Sequence, residues 1–223
     1  MKPLNQYIDH TILAAKATEA DIKHVCSEAV TFGFYAVCIP PYYVNTAKNL
    51  LQGSPVKVCT VIGFPLGNTT TAAKVFEAKT AIENGADEID MVLNIGLLKS
   101  GALKAATEDI KRVKAVIGNH PLKVIVEISE LSEDELLKAC EVCLEAQADF
   151  IKTSTGFSKG NATIQAVKFI RKTVNNQAKI KASGGIKDYE TALAFVQAGA
   201  DRIGTSSGVA IVTKNNTNTG QNY

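Results

Sequence analysis

Two hydrophobic periods alternate along the chain. Short runs rich in β-branched and other apolar residues recur near 7–12, 35–39, 56–62, 87–93, 122–128, 148–153, 179–183 and 201–205. Between them, apolar residues return every three or four positions near 18–31, 42–52, 69–84, 102–118, 132–146, 161–175 and 187–198. The first pattern predicts buried strands and the second amphipathic helices. Two helix starts are well marked. Ser132 and Glu135 have capping-box spacing ahead of Leu136, Cys140, Cys143 and Leu144 on one face. Thr18 stands as a cap before Ile22, Val25, Cys26, Ala29 and Val30. Eight strands alternating with helices predict a parallel sheet, and eight such units match an α/β fold of the (β/α)8 TIM-barrel type. We place this single domain at 1–212 and expect a polar, flexible tail over 213–223. The rival is an open doubly wound sheet. It would normally carry a Gly-rich turn after the first strand, and "IDHTIL" holds no glycine.

A weak internal repeat adds direction to the strands. The segments "GFYAVC" (33–38), "GADEID" (85–90), "QADFIK" (147–152) and "GADRIG" (199–204) follow one template. Glycine stands just past three of the four preceding helices, where a left-handed residue commonly ends a helix. The template leads into the second, fourth, sixth and eighth strands. In a barrel, one interior layer comes from alternate strands, and equivalent positions share a phase because strand side chains alternate faces. Cys38, Asp90, Lys152 and Gly204 are therefore expected in one inward layer near the C-terminal mouth.

That layer raises a chemical question, because lysine is seldom fully buried without a partner. Lys152 closes the sixth strand in "DFIKTSTGF", and Lys181 lies inside the seventh strand, "KIKAS". Adjacent strands run ~4.8 Å apart, so two inward ammonium groups would be close. Like charge and desolvation both disfavour protonated lysine, and a free amine attacks carbonyls to give an imine. The pair suits Schiff-base chemistry, with one lysine as nucleophile and the other as its tuner. Asp90 adds a carboxylate for proton transfer. The structural alternative is a Lys–Asp ion pair with a second lysine snorkelling to solvent. Lys179, at the start of its strand, is expected to reach solvent at the barrel bottom.

Glycines and hydroxyls cluster after three strands, in "TSTG" (153–156), "SGGI" (183–186) and "GTSSG" (204–208). Such loops bring backbone N–H groups close to an anion, and barrel phosphate sites commonly follow the seventh and eighth strands. Each loop by itself could equally be ordinary turn chemistry.

Composition narrows the partners. The chain has 223 residues, 46% hydrophobic and 21% charged, with a formal net charge of +2. No basic block marks a nucleic-acid partner, no apolar run is long enough to span a membrane, and the first residues lack a signal-peptide core. Five cysteines without an export signal read as reduced thiols in a cytoplasmic protein. Cys140 and Cys143 form a lone C-x-x-C, read as helix packing. Cys38 could be a reactive thiol, and a small core residue is the simpler reading. Only His10, His24 and His120 are present. They are expected in a strand, within a helix and on the barrel's bottom side, which disfavours a histidine metal centre or a Ser-His-Asp triad.

With these residues in place, the sequence resembles the deoxyribose-phosphate aldolases, a class I aldolase family. The carriers are "IDHT" (8–11), "AVCIPP" (36–41), "VIGFPLG" (61–67), "EIDMVLNIG" (88–96), "FIKTSTGF" (150–157), "IKASGGI" (180–186) and "RIGTSSG" (202–208). The resemblance implies a (β/α)8 barrel that reversibly cleaves 2-deoxy-D-ribose 5-phosphate to D-glyceraldehyde 3-phosphate and acetaldehyde. This is a step of deoxyribonucleotide catabolism. It implies no metal and no organic cofactor, small phosphorylated sugar and aldehyde substrates, and a homodimer. It assigns the Schiff base to Lys152, its tuning to Lys181 and the proton relay to Asp90. Asp9 and Thr11 would line the site. Thr155, Gly156, Gly184, Gly185, Gly204, Ser206 and Ser207 match the phosphate cradle. Phe157 stands where part of the family has a phosphate-holding lysine, so Lys159 or Lys187 is expected to supply charge. The chain ends in Tyr223, as some members do, and that tyrosine could assist proton transfer. Two rival readings stay open: another Schiff-base aldolase of a different sugar phosphate, and a silent sugar-phosphate sensor.

Overall fold

The computed structural model describes residues 2–215. Eight parallel strands close into a barrel in sequence order: β1 Ile8–Thr11, β2 Ala36–Ile39, β3 Lys57–Ile62, β4 Glu88–Val92, β5 Leu122–Ile125, β6 Phe150–Lys152, β7 Lys179–Ser183 and β8 Arg202–Thr205. The helices are α1 Glu19–Thr31, α2 Val44–Leu50, α3 Thr71–Glu83, α4 Ile95–Lys99, α5 Leu103–Ile117, α6 Glu133–Glu145, α7 Ile164–Val174, α8 Tyr189–Gln197 and α9 Gly208–Thr213. The (β/α)8 barrel expected from the alternating pattern is the observed fold. The tail from 216 onward, with Tyr223, lies outside the described residues.

Local chemistry explains the boundaries. Thr18 and Ser132 both cap their helices in reciprocal capping boxes, with Asp21 and Glu135. Gly33, Gly85 and Gly199 take positive φ past α1, α3 and α8 (62°, 101° and 112°), and Gln147 takes φ 58° at the equivalent place past α6. The fourth copy of the repeat thus keeps the backbone turn without the glycine. Three expectations shift. The helix foreseen at 42–52 opens with a 3-10 turn over Pro41–Tyr43. Val30 falls off the buried face of α1 and is half exposed. The fifth strand stops at Ile125 rather than 128, because Glu127 adopts φ 54° and a 3-10 turn follows over Ile128–Glu130.

The two faces of the sheet differ in chemistry. Outward residues such as Ile8, Val37, Ile89, Val124, Ile151, Ile180 and Ile203 pack with the helices in one large apolar core. The inward face holds a small separate apolar cluster of Leu13, Cys38, Cys59 and Val61, with Ala36, Val92, Ile125 and Phe150 in the same strand phase. Among them the interior carries an unusual number of charges. Asp9, Glu88, Asp90, Lys123, Lys152, Lys181 and Arg202 are all buried.

Strand register stacks these side chains. Asp90 pairs with Lys123, Lys152 with Lys181, Lys181 with Arg202, and Asp9 with Gly204. Alternation along each strand then places Glu88 one step below Asp90 and Arg202 one step below Gly204. Cys38, Asp90, Lys152 and Gly204 fall in one layer, as the repeat predicts, with Asp9, Cys59, Lys123 and Lys181 in the layer beneath.

Candidate active site

Asp90 is the hub of the interior. Its Oδ2 accepts hydrogen bonds from Lys152 Nζ at 2.9 Å and Lys181 Nζ at 2.8 Å. Its Oδ1 accepts from Lys123 Nζ at 2.9 Å and from the Cys59 thiol at 3.1 Å. Lys181 also meets Asp9 Oδ2 at 2.5 Å, an ion contact without hydrogen-bond angles. Arg202 donates to Asp9 Oδ1 at 2.6 Å and to Glu88 Oε1 at 3.0 Å, and lies 3.5 Å above the Tyr35 ring. Lys123 closes the network on Glu88 Oε2 at 2.6 Å. Three carboxylates thus face four cations in a space that helices and sheet shield from water. Such a network is stable only when every charge has partners.

The electrostatics follow from this sharing. Burial alone would raise the Asp90 carboxyl, but Lys123, Lys152 and Lys181 outweigh it and hold it well below the carboxylate range. Burial opposes Asp9 in the same way, and Arg202 and Lys181 bring it down to about 2. Burial disfavours the charge on Lys181, yet Asp9 and Asp90 raise it well above an ordinary lysine. Lys181 is held as a cation between two carboxylates, beside Lys152. Lys123 is raised by the same competition, burial being overcome by Asp90 and Glu88.

The remaining expected residues occupy defined places. Thr11 is buried and donates to the Asp9 carbonyl at 2.8 Å. Gly204 lies in the barrel wall, where a Cβ would stand 2.9 Å from both Lys181 Cε and Ser183 Cβ. Its lack of a side chain leaves room for the lysine stem. Above, the loops are laced together. Thr153 Oγ1 donates to the Ser183 carbonyl at 3.0 Å, and Ser183 Oγ donates to the Ser154 carbonyl at 2.7 Å. Thr205 Oγ1 donates to the Ile186 carbonyl at 2.6 Å and accepts from Ser207 N at 2.9 Å. Gly156, Gly184 and Gly185 all take positive φ (87°, 98° and 75°). Gly185 and Ser206 are exposed and Ser207 is half-buried. Lys159 and Lys187 are exposed. Lys179 reaches solvent at the bottom and lies 5.5 Å from the Phe150 ring centre.

The histidines lie apart from the network. His10 points outward and bonds Glu28 Oε2 at 2.6 Å, His24 is exposed on α1, and His120 precedes β5 at the bottom.

Comparison with known proteins agrees with this geometry. The DeoC/LacD family aldolase model matches residues 4–214. The chain belongs to this aldolase family. A deoxyribose-phosphate aldolase of Brevibacillus brevis is 53% identical, covering 99% of each chain. One from Caldicellulosiruptor saccharolyticus is 52% identical, covering 96% of this chain and 98% of its own. Among solved structures, an aldolase designated QR15 superposes with a TM-score of 0.93 at 43% identity, covering 96% of both chains. A tetrameric deoxyribose phosphate aldolase from Aeropyrum pernix gives 0.87 at 32% identity, covering 96% of this chain and 91% of its own.

Four interior residues of this family member escaped the sequence reading: Glu88, Lys123, Arg202 and Glu127. Glu88 and Arg202 sit two residues before Asp90 and Gly204, so the alternation that placed those two was already sufficient. Lys123 lies on a strand outside the repeat, where no phase was assigned. Glu127 is buried at the end of β5, and its Oε2 accepts from Thr155 N at 3.2 Å and from the Thr155 hydroxyl. It therefore anchors the "TSTG" loop, and no periodic signal marks it.

Proposed function

We propose that this chain is a class I aldolase that reversibly cleaves 2-deoxy-D-ribose 5-phosphate to D-glyceraldehyde 3-phosphate and acetaldehyde, with Lys152 as the Schiff-base nucleophile. The observation that carries the reading is the meeting of Lys152 and Lys181 on one oxygen of Asp90 at the barrel's C-terminal end. Active sites of these barrels lie at that end. A neighbouring cation is one of the settings in which a lysine amine serves as nucleophile.

Lys152 adds to the C1 aldehyde to give a carbinolamine, which loses water to become an iminium ion. The C3 hydroxyl then gives up its proton as the C2–C3 electron pair moves into the iminium. The C3 fragment leaves as the aldehyde D-glyceraldehyde 3-phosphate, and an enamine remains on Lys152. Protonation at C2 and hydrolysis release acetaldehyde and restore the amine. The electron sink is the iminium itself, so the chemistry calls for no metal or organic cofactor. Asp90 bridges the nucleophile and Lys181, and with a water molecule it relays the protons. Asp9 and Thr11 border this relay. The loop residues Thr155, Gly156, Gly184, Gly185, Ser206 and Ser207 form the phosphate cradle, with Gly204 keeping the wall beneath them open. Lys159 and Lys187 add positive charge at the rim. Tyr223 remains a candidate proton carrier from the tail.

We also infer a homodimer in the cytoplasm, with residues 1–212 as the catalytic domain. No helix among the described residues is long and apolar enough to cross a membrane. Sedimentation analysis separates a dimer from the tetramer described for the Aeropyrum pernix relative. The activity is tested by coupling cleavage of 2-deoxyribose 5-phosphate to NADH-dependent reduction of the acetaldehyde formed. Turnover that persists with a chelator present supports the reading. Binding of the sugar phosphate without cleavage would replace it with a sensor role.

A further inference from the structure

One side of the barrel interior carries two thiols that the aldol mechanism does not use. Cys38 on β2 and Cys59 on β3 are directly paired across neighbouring strands, fully buried and free. Cys59 Sγ lies 3.1 Å from Asp90 Oδ1 and 3.3 Å from Lys123 Nζ. One donor atom from each of Cys38, Cys59 and Asp90 lies within 4.8 Å of the others. Two soft sulfur donors and a carboxylate at this spacing suit a d10 ion such as zinc or cadmium. We propose that Cys38, Cys59 and Asp90 form an inhibitory site for a thiophilic divalent metal ion, which acts by engaging Oδ1 of the Asp90 carboxylate that Lys152 and Lys181 share.

Charge balance makes the site possible despite its lysines. Binding forms two sulfur–metal bonds and releases two thiol protons to solvent. Two positive charges enter as two leave, so the net charge of the interior is unchanged. Each new thiolate also lies among cations that stabilise it.

Paired strands stand ~4.8 Å apart, a Cα separation that a disulfide also accepts. Two sulfurs that each bond one ion at ~2.3 Å fit the same pairing, and the mass map below separates the two outcomes. In the bound form, Asp90 Oδ1 exchanges its Lys123 and Cys59 hydrogen bonds for the ion. The carboxylate can then no longer relay protons. The inhibitory effect rests on the aldolase reading above, whereas the binding does not.

The test is titration of the full chain with cadmium chloride in buffer free of thiols and chelators. Ultraviolet thiolate-to-cadmium absorption and aldol cleavage are followed in parallel. The expected result is one ion per chain, cleavage lost in step with absorption, and recovery on adding EDTA. Cys59→Ala and Cys59→Ser, each compared with its own metal-free rate, should need at least tenfold more cadmium for half-inhibition. Cys140→Ala/Cys143→Ala should titrate like the parent. Equal cadmium sensitivity in both Cys59 variants would overturn the proposal, as would an ion bound at full activity. Mass mapping that finds a Cys38–Cys59 disulfide in place of bound metal would also overturn it. If the chain does not cleave the sugar phosphate at all, the absorption titration and its loss in the Cys59 variants still decide the site.

Discussion

Lys74 and Lys181 are both fully buried and both bonded to aspartate, on opposite faces of the same sheet. Lys74, on α3, donates to Asp109 Oδ2 on α5 at 2.6 Å and to the Val92 carbonyl at 3.0 Å. Its stem also lies under Gly63, where a Cβ would come within 2.9 Å of Lys74 Cε. It is a strut between two helices and the end of β4. Lys181 instead lies between Asp9 and Asp90, and Asp90 is shared with Lys123 and Lys152. The electrostatic outcome is opposite. Burial dominates at Lys74 and lowers it despite Asp109, whereas two carboxylates outweigh burial at Lys181 and raise it. A buried lysine is therefore not in itself a sign of chemistry. What distinguishes the barrel interior is a single carboxylate divided among several ammonium groups, one of them at the open end of the barrel.

Substitutions can break this comparison from either side. The largest effect is expected for Lys152→Ala, which should lower cleavage of 2-deoxyribose 5-phosphate at least about 10³-fold. Its melting behaviour should stay near the parent's, because Asp90 keeps two cationic partners. Retention of most turnover would remove Lys152 from the mechanism. Lys74→Ala should do the reverse. It strands a buried Asp109 and should cost about 3–5 kcal/mol in urea unfolding. Turnover per folded molecule should be unchanged, and a large loss of kcat would show that the strut reaches the chemistry.

Lys181→Leu sharpens the contrast within the interior. It should lower kcat by about 10²-fold, with a smaller stability loss than Lys74→Ala, because Asp9 retains Arg202 and Asp90 retains Lys123. Unchanged kcat would end its tuning role.

The smallest effect concerns acid. Asp9 is depressed in the folded chain, so its stabilisation is fully present above its ordinary value of 3.8 and fades as pH falls through about 2. Unfolding free energy should therefore decline across that window, and Asp9→Asn should flatten the decline. An identical acid profile in Asp9→Asn would contradict the clamp around Lys181.

Much of this was legible from the chain before any geometry. The change of hydrophobic period marked all eight strands, and the repeat assigned Cys38, Asp90, Lys152 and Gly204 to one inward layer. The short helices α4 and α9 were missed because Ile95–Lys99 and Gly208–Thr213 are too brief to show a helical period. The hold on Lys181 was less legible. The repeat brought Asp90 into the interior, but the second countercharge, Asp9, comes from β1, outside the repeat and far away in the chain.

The most direct measurement is borohydride reduction in the presence of acetaldehyde or 2-deoxyribose 5-phosphate, followed by mass mapping. The account predicts one reduced adduct per chain, on Lys152, and none on Lys152→Ala. An adduct on Lys181 or on Lys123, or no adduct while the unmodified enzyme turns over, would contradict it.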